Sequence, residues 1–72
     1  MDQWIMINGE LYNVRYIRRI YKDGTPTYFE IVFDFENGSD RIKCFDTMEE
    51  RDVHYQKCVN FLFSNPLKIT LD

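Results

Sequence analysis

From Trp4 to Phe45 apolar and polar residues alternate in short stretches broken at Asn8-Gly9, Asp23-Gly24 and Asn37-Gly38, and from Thr47 to Phe63 the spacing changes to threes and fours. Period two followed by period 3.6 predicts strands and then one helix. Trp4-Ile5-Met6-Ile7 leads into Asn8-Gly9, a two-residue turn of the kind that needs positive φ, and Leu11-Tyr12-Asn13-Val14 returns from it. That register sets Ile7 against Glu10, Met6 against Leu11, Ile5 against Tyr12 and Trp4 against Asn13. One face then carries Ile5, Ile7, Tyr12 and Val14, and the other carries Trp4, Met6 and Leu11. With both faces apolar, either a helix covers one and another chain the other, or the register slips.

The next stretch is too long for clean alternation. Val14, Tyr16, Ile17 and Ile20 change phase near Ile17-Arg18, so a bulge or bend is expected there, and Asp23-Gly24-Thr25-Pro26 should end the strand. A hairpin follows: Thr27 to Phe35, a turn at Asn37-Gly38, and Ser39 to Phe45. If Asn37 and Gly38 are its two turn residues, Phe29, Ile31, Phe33, Ile42 and Cys44 point inward, with Phe35 extending the row. Asp34 then pairs with Arg41, and Val32 with Lys43, on the outer face.

Thr47 with Glu50 forms a capping box, and Asp46 with Glu49 is an alternative one residue earlier. At 100° per residue Met48, Tyr55, Cys58, Val59, Leu62 and Phe63 form the expected core stripe. Glu49, Glu50, Gln56, Lys57 and Asn60 lie opposite, joined by Val53 and Phe61. Asn65-Pro66 stops the helix. Leu67 to Leu71 alternates like a short strand that either pairs within the chain or reaches a neighbour. The expected fold is α+β: an antiparallel sheet of four to five strands with one C-terminal helix packed on one face.

Seventy-two residues make one small domain, 1–72, near the size below which a hydrophobic core alone struggles to hold a fold. The aromatic share of 17% supplies large buried surfaces. A net charge of −3 argues against generic binding to a phosphate backbone, which needs surplus Lys and Arg. The charges are nonetheless segregated. Arg15, Arg18, Arg19 and Lys22 fall in a stretch without acids, and Asp46, Glu49, Glu50 and Asp52 gather where the helix begins. No apolar run approaches the roughly 18 residues a bilayer span requires. Met1-Asp2-Gln3 lacks a basic leader, so a cytoplasmic, reduced protein with no membrane contact is expected.

No phosphate-binding glycine loop, dinucleotide fingerprint or nucleophile elbow occurs. His54 and Cys58 have metal-ligand spacing, but two ligands do not make a zinc site, and a packed Cys beside a boundary His accounts for them. The acids near residue 49 suit a helix N-terminus electrostatically. Neither enzyme activity, cofactor nor metal is therefore expected. Arg15, Arg18, Arg19 and Lys22, interleaved with Tyr12 and Tyr16, could hold phosphates and stack bases; the competing account is a charged strand protected against stray pairing. Trp4, Met6 and Leu11, with Val53 and Phe61 on the outer helix face, exceed what one sheet and one helix cover, which favours a homodimer or partner interface. The competing account is that the last strand or another register buries the Trp4 face.

WIMING (4–9), FDFENG (33–38) and TMEERD (47–52) resemble segments of short bacteriophage and prophage proteins in which a Trp-containing strand leads through Gly turns to a capped helix. The resemblance implies a non-enzymatic inhibitor of a bacterial enzyme or defence complex, as in anti-CRISPR and other anti-defence proteins, acting in the host cytoplasm. That class shares no site motif, so the resemblance assigns no residue. From charge and exposure, Glu49, Glu50, Asp52, Val53 and Phe61 are the expected partner-binding set, and Trp4, Met6 and Leu11 the expected oligomer interface. A nucleotide or nucleic-acid binder, such as a signalling-nucleotide sponge using Arg15, Arg18, Arg19 and Lys22, is the alternative.

Overall fold

Asn8 at φ 51° and Gly9 at φ 82° both take the left-handed conformation of a type I′ turn. That turn folds β1 (Trp4–Ile7) onto β2 (Glu10–Asn13) with Trp4 opposite Asn13, Ile5 opposite Tyr12, Met6 opposite Leu11 and Ile7 opposite Glu10, the expected register. The computed structural model describes residues 2–64 and 66–71.

The side chain of Asn13 then accepts from Arg15 N at 3.0 Å and caps a single 3-10 turn, Val14–Tyr16. This turn carries the chain out of the first sheet and into a second, where β3 (Ile17–Thr25) pairs with β4 (Tyr28–Phe35) and β4 with β5 (Asp40–Phe45). The expected irregularity near Ile17-Arg18 is present as a register shift between Ile17 and Arg19. β3 does not stop at Asp23-Gly24. It runs to Thr25, and Gly24 stays in the strand at φ 141°, where a Cβ would strike the carbonyl oxygen of Tyr28.

The second hairpin differs from expectation by one residue. Phe35 N donates to Ser39 O and Gly38 N to Phe35 O, both at 2.9 Å, and only Gly38 among the loop residues has positive φ. The loop is therefore Glu36-Asn37-Gly38, a type I turn closed by a left-handed glycine, rather than a two-residue turn. One extra residue exchanges the two faces of β5. Arg41 lies opposite Phe33, Lys43 opposite Ile31 and Phe45 opposite Phe29, on the inner side, while Ile42 and Cys44 join Val32 and Glu30 outside.

Thr47 Oγ1 accepts from Glu50 N at 3.1 Å and starts α1 (Met48–Leu62), so the Thr47 cap is the one used. Asn65, expected with Pro66 to stop the helix, lies outside the described residues. β6 (Lys68–Thr70) pairs within the chain, parallel to β1, with Ile5 opposite Ile69. The architecture is α+β, but it holds six strands among the described residues, in two three-stranded sheets ordered β2-β1-β6 and β3-β4-β5, rather than one sheet of four or five.

Both α1 and the first sheet lie against the inner side of β3-β4-β5. Ile5, Ile7, Ile69 and Leu71 from the first sheet meet Ile31, Phe33 and Phe35 from the second and Cys58 and Phe61 from the helix in one buried cluster. At roughly 25 cal/mol per Å² of apolar surface this cluster is the main stabilising term. The helix presents Arg51, His54, Tyr55, Cys58, Phe61 and Leu62 to it, a stripe turned by roughly 60–70° from the expected one at 100° per residue. Met48 and Phe63, expected inside, are exposed. Phe61, expected outside, is 4% exposed. Two polar members explain the offset: the guanidinium of Arg51 sits 5.6 Å from the centre of the Phe29 ring, and the His54 ring 4.8 Å from that of Phe45. Each packs against an aromatic ring, His54 tilted by 39°, while a polar group stays bonded: Arg51 to Asp52 and His54 to the Glu50 carbonyl.

Candidate functional site

Alternation along β1 and β2 puts Trp4, Met6 and Leu11 on the side of the first sheet that faces away from the core. Trp4 is 37% exposed and Leu11 47%, with Met6 half-buried between them. β6 lies beside this surface and not over it, because its register with β1 sets Lys68 next to Trp4 and Thr70 next to Met6. Trp4 N donates to Leu67 O at 2.8 Å, which places a further exposed leucine at the border. The result is an apolar strip edged by Asn13, Lys68 and Thr70.

The start of α1 forms a second surface. Glu49, Glu50 and Val53 stand at i, i+1 and i+4 and are all exposed, Val53 by 66%. Asp52 is turned toward the protein instead. Its carboxylate meets Arg51 Nε at 3.1 Å and Lys22 Nζ at 3.5 Å. Burial works to raise its pKa, but the Arg51 hydrogen bond and the two cationic charges outweigh that and hold it below the ordinary carboxylate value. Phe61 cannot belong to a partner surface, because it is enclosed in the core. The expected set thus reduces to Glu49, Glu50 and Val53, with Asp52 at its edge.

The basic residues do not form one strip. Arg15 stands on the 3-10 turn, 4.0 Å from Asp2, with its guanidinium 5.5 Å above the Tyr16 ring. Arg18 and Arg19, at the register shift, both reach Asp34 Oδ2, at 2.9 and 3.3 Å. Lys22 is on the opposite face of β3, between Asp52 and the Tyr55 ring. The Asp34 side chain is only 5% exposed. The hydrogen bond from Arg18 holds its carboxyl below the usual range against the opposing cost of burial, and the same bond raises Arg18. Asp40 lies opposite Asp34, so the expected pairing of Asp34 with Arg41 does not form. The longer loop separates them and gives the carboxylate to Arg18 and Arg19.

Arg41 changes sides with the longer loop and comes to lie opposite Phe33. On the inner side of β5 its Nε donates to the Tyr12 hydroxyl at 2.8 Å and its Nη1 to Asp40 O at 2.8 Å. It stands at the mouth of a cleft of about 470 Å³ between the two sheets, lined by Tyr12, Tyr16, Phe35, Arg41 and the 36–39 turn. A smaller cavity of about 210 Å³ lies between β3 and α1, with Ile17, Ile20, Tyr55, Cys58 and Leu62 among its walls. Burial there pushes the Cys58 thiol up to about 11. His54 Nδ1 lies 2.7 Å from Glu50 O, so that nitrogen carries a proton and donates to the carbonyl. Among the described residues no three His, Cys, Asp or Glu side chains converge as metal ligands, and no helix is long and apolar enough to cross a membrane.

Set beside known proteins, the chain matches no family model, no curated protein and no solved structure.

Proposed function

We propose that this chain works by binding other polypeptides, as a small non-enzymatic inhibitor of phage type that occupies a bacterial enzyme or defence complex. The observation that carries the reading is the division of charge. Arg15, Arg18, Arg19 and Lys22 each have a carboxylate of the same chain within 4.0 Å, while Glu49 and Glu50 face solvent beside the exposed Val53. An exposed acidic turn with one apolar side chain suits a basic surface on a target, where complementary charge raises the encounter rate and the apolar contact slows release. The apolar strip of Trp4, Met6 and Leu11 is assigned to a second copy of the chain. A two-fold arrangement would pair the strip with itself and bury the indole, the kind of side chain that anchors interface centres.

Affinity capture from bacterial lysate, run in parallel with wild-type protein and a Glu49→Lys, Glu50→Lys variant, tests the first contact. A partner retained by the wild type and lost by the variant supports it, and equal retention by both overturns it. Light scattering tests the second: the wild type should have twice the chain mass and Trp4→Ala with Leu11→Ser the single mass. A monomeric wild type at high concentration removes the dimer.

A further inference from the structure

The cleft between the sheets brings aromatic rings, a cation and a carboxylate to one place. Its volume of about 470 Å³ falls within the roughly 300–1,000 Å³ typical of small-molecule sites. Phe35 forms the floor, buried, with the Tyr12 ring packed against it at 5.2 Å between centroids. Tyr16 forms a wall and is exposed. Its backbone is anchored, because Tyr16 O accepts from Glu36 N at 2.9 Å, and the Arg15 guanidinium lies 5.5 Å from the centre of its ring.

Arg41 closes the opposite side. Arg15, Arg18, Arg19, Lys22 and Arg51 each have a carboxylate within 4.0 Å. Arg41 has none among the described residues; its bonds go to a phenol and a backbone carbonyl, both neutral. Those two bonds orient the guanidinium through Nε and Nη1 and leave Nη2 without a bond to a described residue, while the Tyr12 hydroxyl in turn donates to Glu10 Oε2 at 3.1 Å. A pre-oriented cation beside aromatic rings recognises a planar ring that carries an anionic group. The carboxylate of Glu36 on the rim can accept from an amine on such a ring.

We propose that this cleft binds an amine-bearing nucleoside monophosphate, free or at the end of a strand, with its base on Tyr16, its phosphate at Arg41 and its exocyclic amine at Glu36. Arg41 is the one cation among the lining residues, and the acids Glu36 on the rim, Asp40 next in sequence and Glu10 bonded to Tyr12 disfavour longer phosphate chains through like-charge repulsion. The assignment stands apart from the protein contacts proposed above, since it shares none of their residues. It also differs from a basic-strand site, because Arg18, Arg19 and Lys22 take no part.

The test is a backbone-amide NMR titration of the intact chain with AMP, adenosine, UMP and a short 5′-phosphorylated deoxyadenosine oligonucleotide. AMP should shift the amides of Tyr16, Glu36 to Ser39 and Arg41, with an affinity near about 1 mM. Adenosine and UMP should bind more weakly than AMP. Arg41→Gln, which keeps a donor for the Tyr12 hydroxyl, should weaken AMP by roughly tenfold or more, as expected for loss of a charge-assisted bond. Tyr16→Ala should weaken it by roughly fivefold or more through lost stacking. Tighter binding of the oligonucleotide identifies a strand end as the source, and tighter binding of AMP a free nucleotide. Shifts absent from the cleft, centred on Arg18 and Arg19, or unaltered in Arg41→Gln overturn the proposal.

Discussion

Gln3 Nε2 donates to the carbonyl oxygen of Phe61 at 3.0 Å and also lies 3.3 Å from the carbonyls of Ser64 and Pro66, so one amide ties the approach to β1 to the end of α1. Of the three, only the Phe61 carbonyl belongs to the last turn of α1, where helix carbonyls lack intrahelical partners, and it also accepts from Ser64 N and Ser64 Oγ at 3.3 Å. Gln3→Ala removes the donor and should cost about 0.5–1.5 kcal/mol, the net worth of a hydrogen bond, since the Phe61 carbonyl keeps its bonds from Ser64. Urea unfolding should show a lower midpoint with an unchanged slope; an unchanged midpoint would mean water substitutes fully for the amide.

Phe61 and Val53 give opposite outcomes. Phe61→Ala opens a cavity in the shared core and should cost about 3–5 kcal/mol, enough to unfold much of a domain this small. Val53→Ala changes a solvated position and should stay within about 0.5 kcal/mol. Thermal melts followed by far-ultraviolet circular dichroism compare the two directly, and comparable losses would contradict the helix orientation.

Asp34 makes stability fall in acid. Its carboxyl is held below its ordinary value by the Arg18 hydrogen bond, so its stabilising effect is complete above the unfolded-state pKa near 3.9 and is lost as pH falls through the lower folded value. Asp52, depressed as well, adds in the same direction. Denaturation midpoints between about pH 2 and pH 6 should decline toward acid, and Asp34→Asn should flatten the curve. The variant should also be less stable near neutrality, because Arg18 and Arg19 lose their shared counter-charge. A wild-type curve that stays level down to pH 2 would contradict the ion triad.

The two cysteines should differ sharply toward thiol reagents. Cys44 is exposed on the outer side of β5, whereas Cys58 is 1% exposed and its thiol is pushed up to about 11. A chromogenic disulfide reagent near pH 8 should titrate one thiol rapidly and the second only after denaturant is added. Two rapid equivalents would show that the space between β3 and α1 opens freely.

Some of this structure was written plainly in the chain. The first hairpin was legible because Asn8 and Gly9 both accept positive φ and both use it, which leaves one register and separates Trp4, Met6 and Leu11 from Ile5 and Ile7. The second hairpin was not, because Asn-Gly also ends a three-residue loop in which Gly38 alone is left-handed. That ambiguity moved Arg41 across the sheet and concealed the cleft. The helix stripe departs from a count of apolar residues because Arg51 and His54 take core-facing positions against the Phe29 and Phe45 rings. The division into two sheets depends on Asn13 capping a 3-10 turn, a local event that a change of phase near Ile17-Arg18 does not distinguish from a bulge in one long strand. The pairing of Arg18 and Arg19 with Asp34 was invisible because it joins neighbouring strands across a one-residue irregularity.

The parallel ladder between β1 and β6 also governs how the chain is made. Ile5 stays without its neighbour Ile69 until some 60 further residues have been synthesised, a wait on the order of 3–13 s at roughly 5–20 residues per second. For that interval the nascent β1 keeps one flank unzipped and able to recruit a stranger's backbone. Ribosome-associated chaperones are therefore expected to matter more to the yield of this protein than its length alone would indicate.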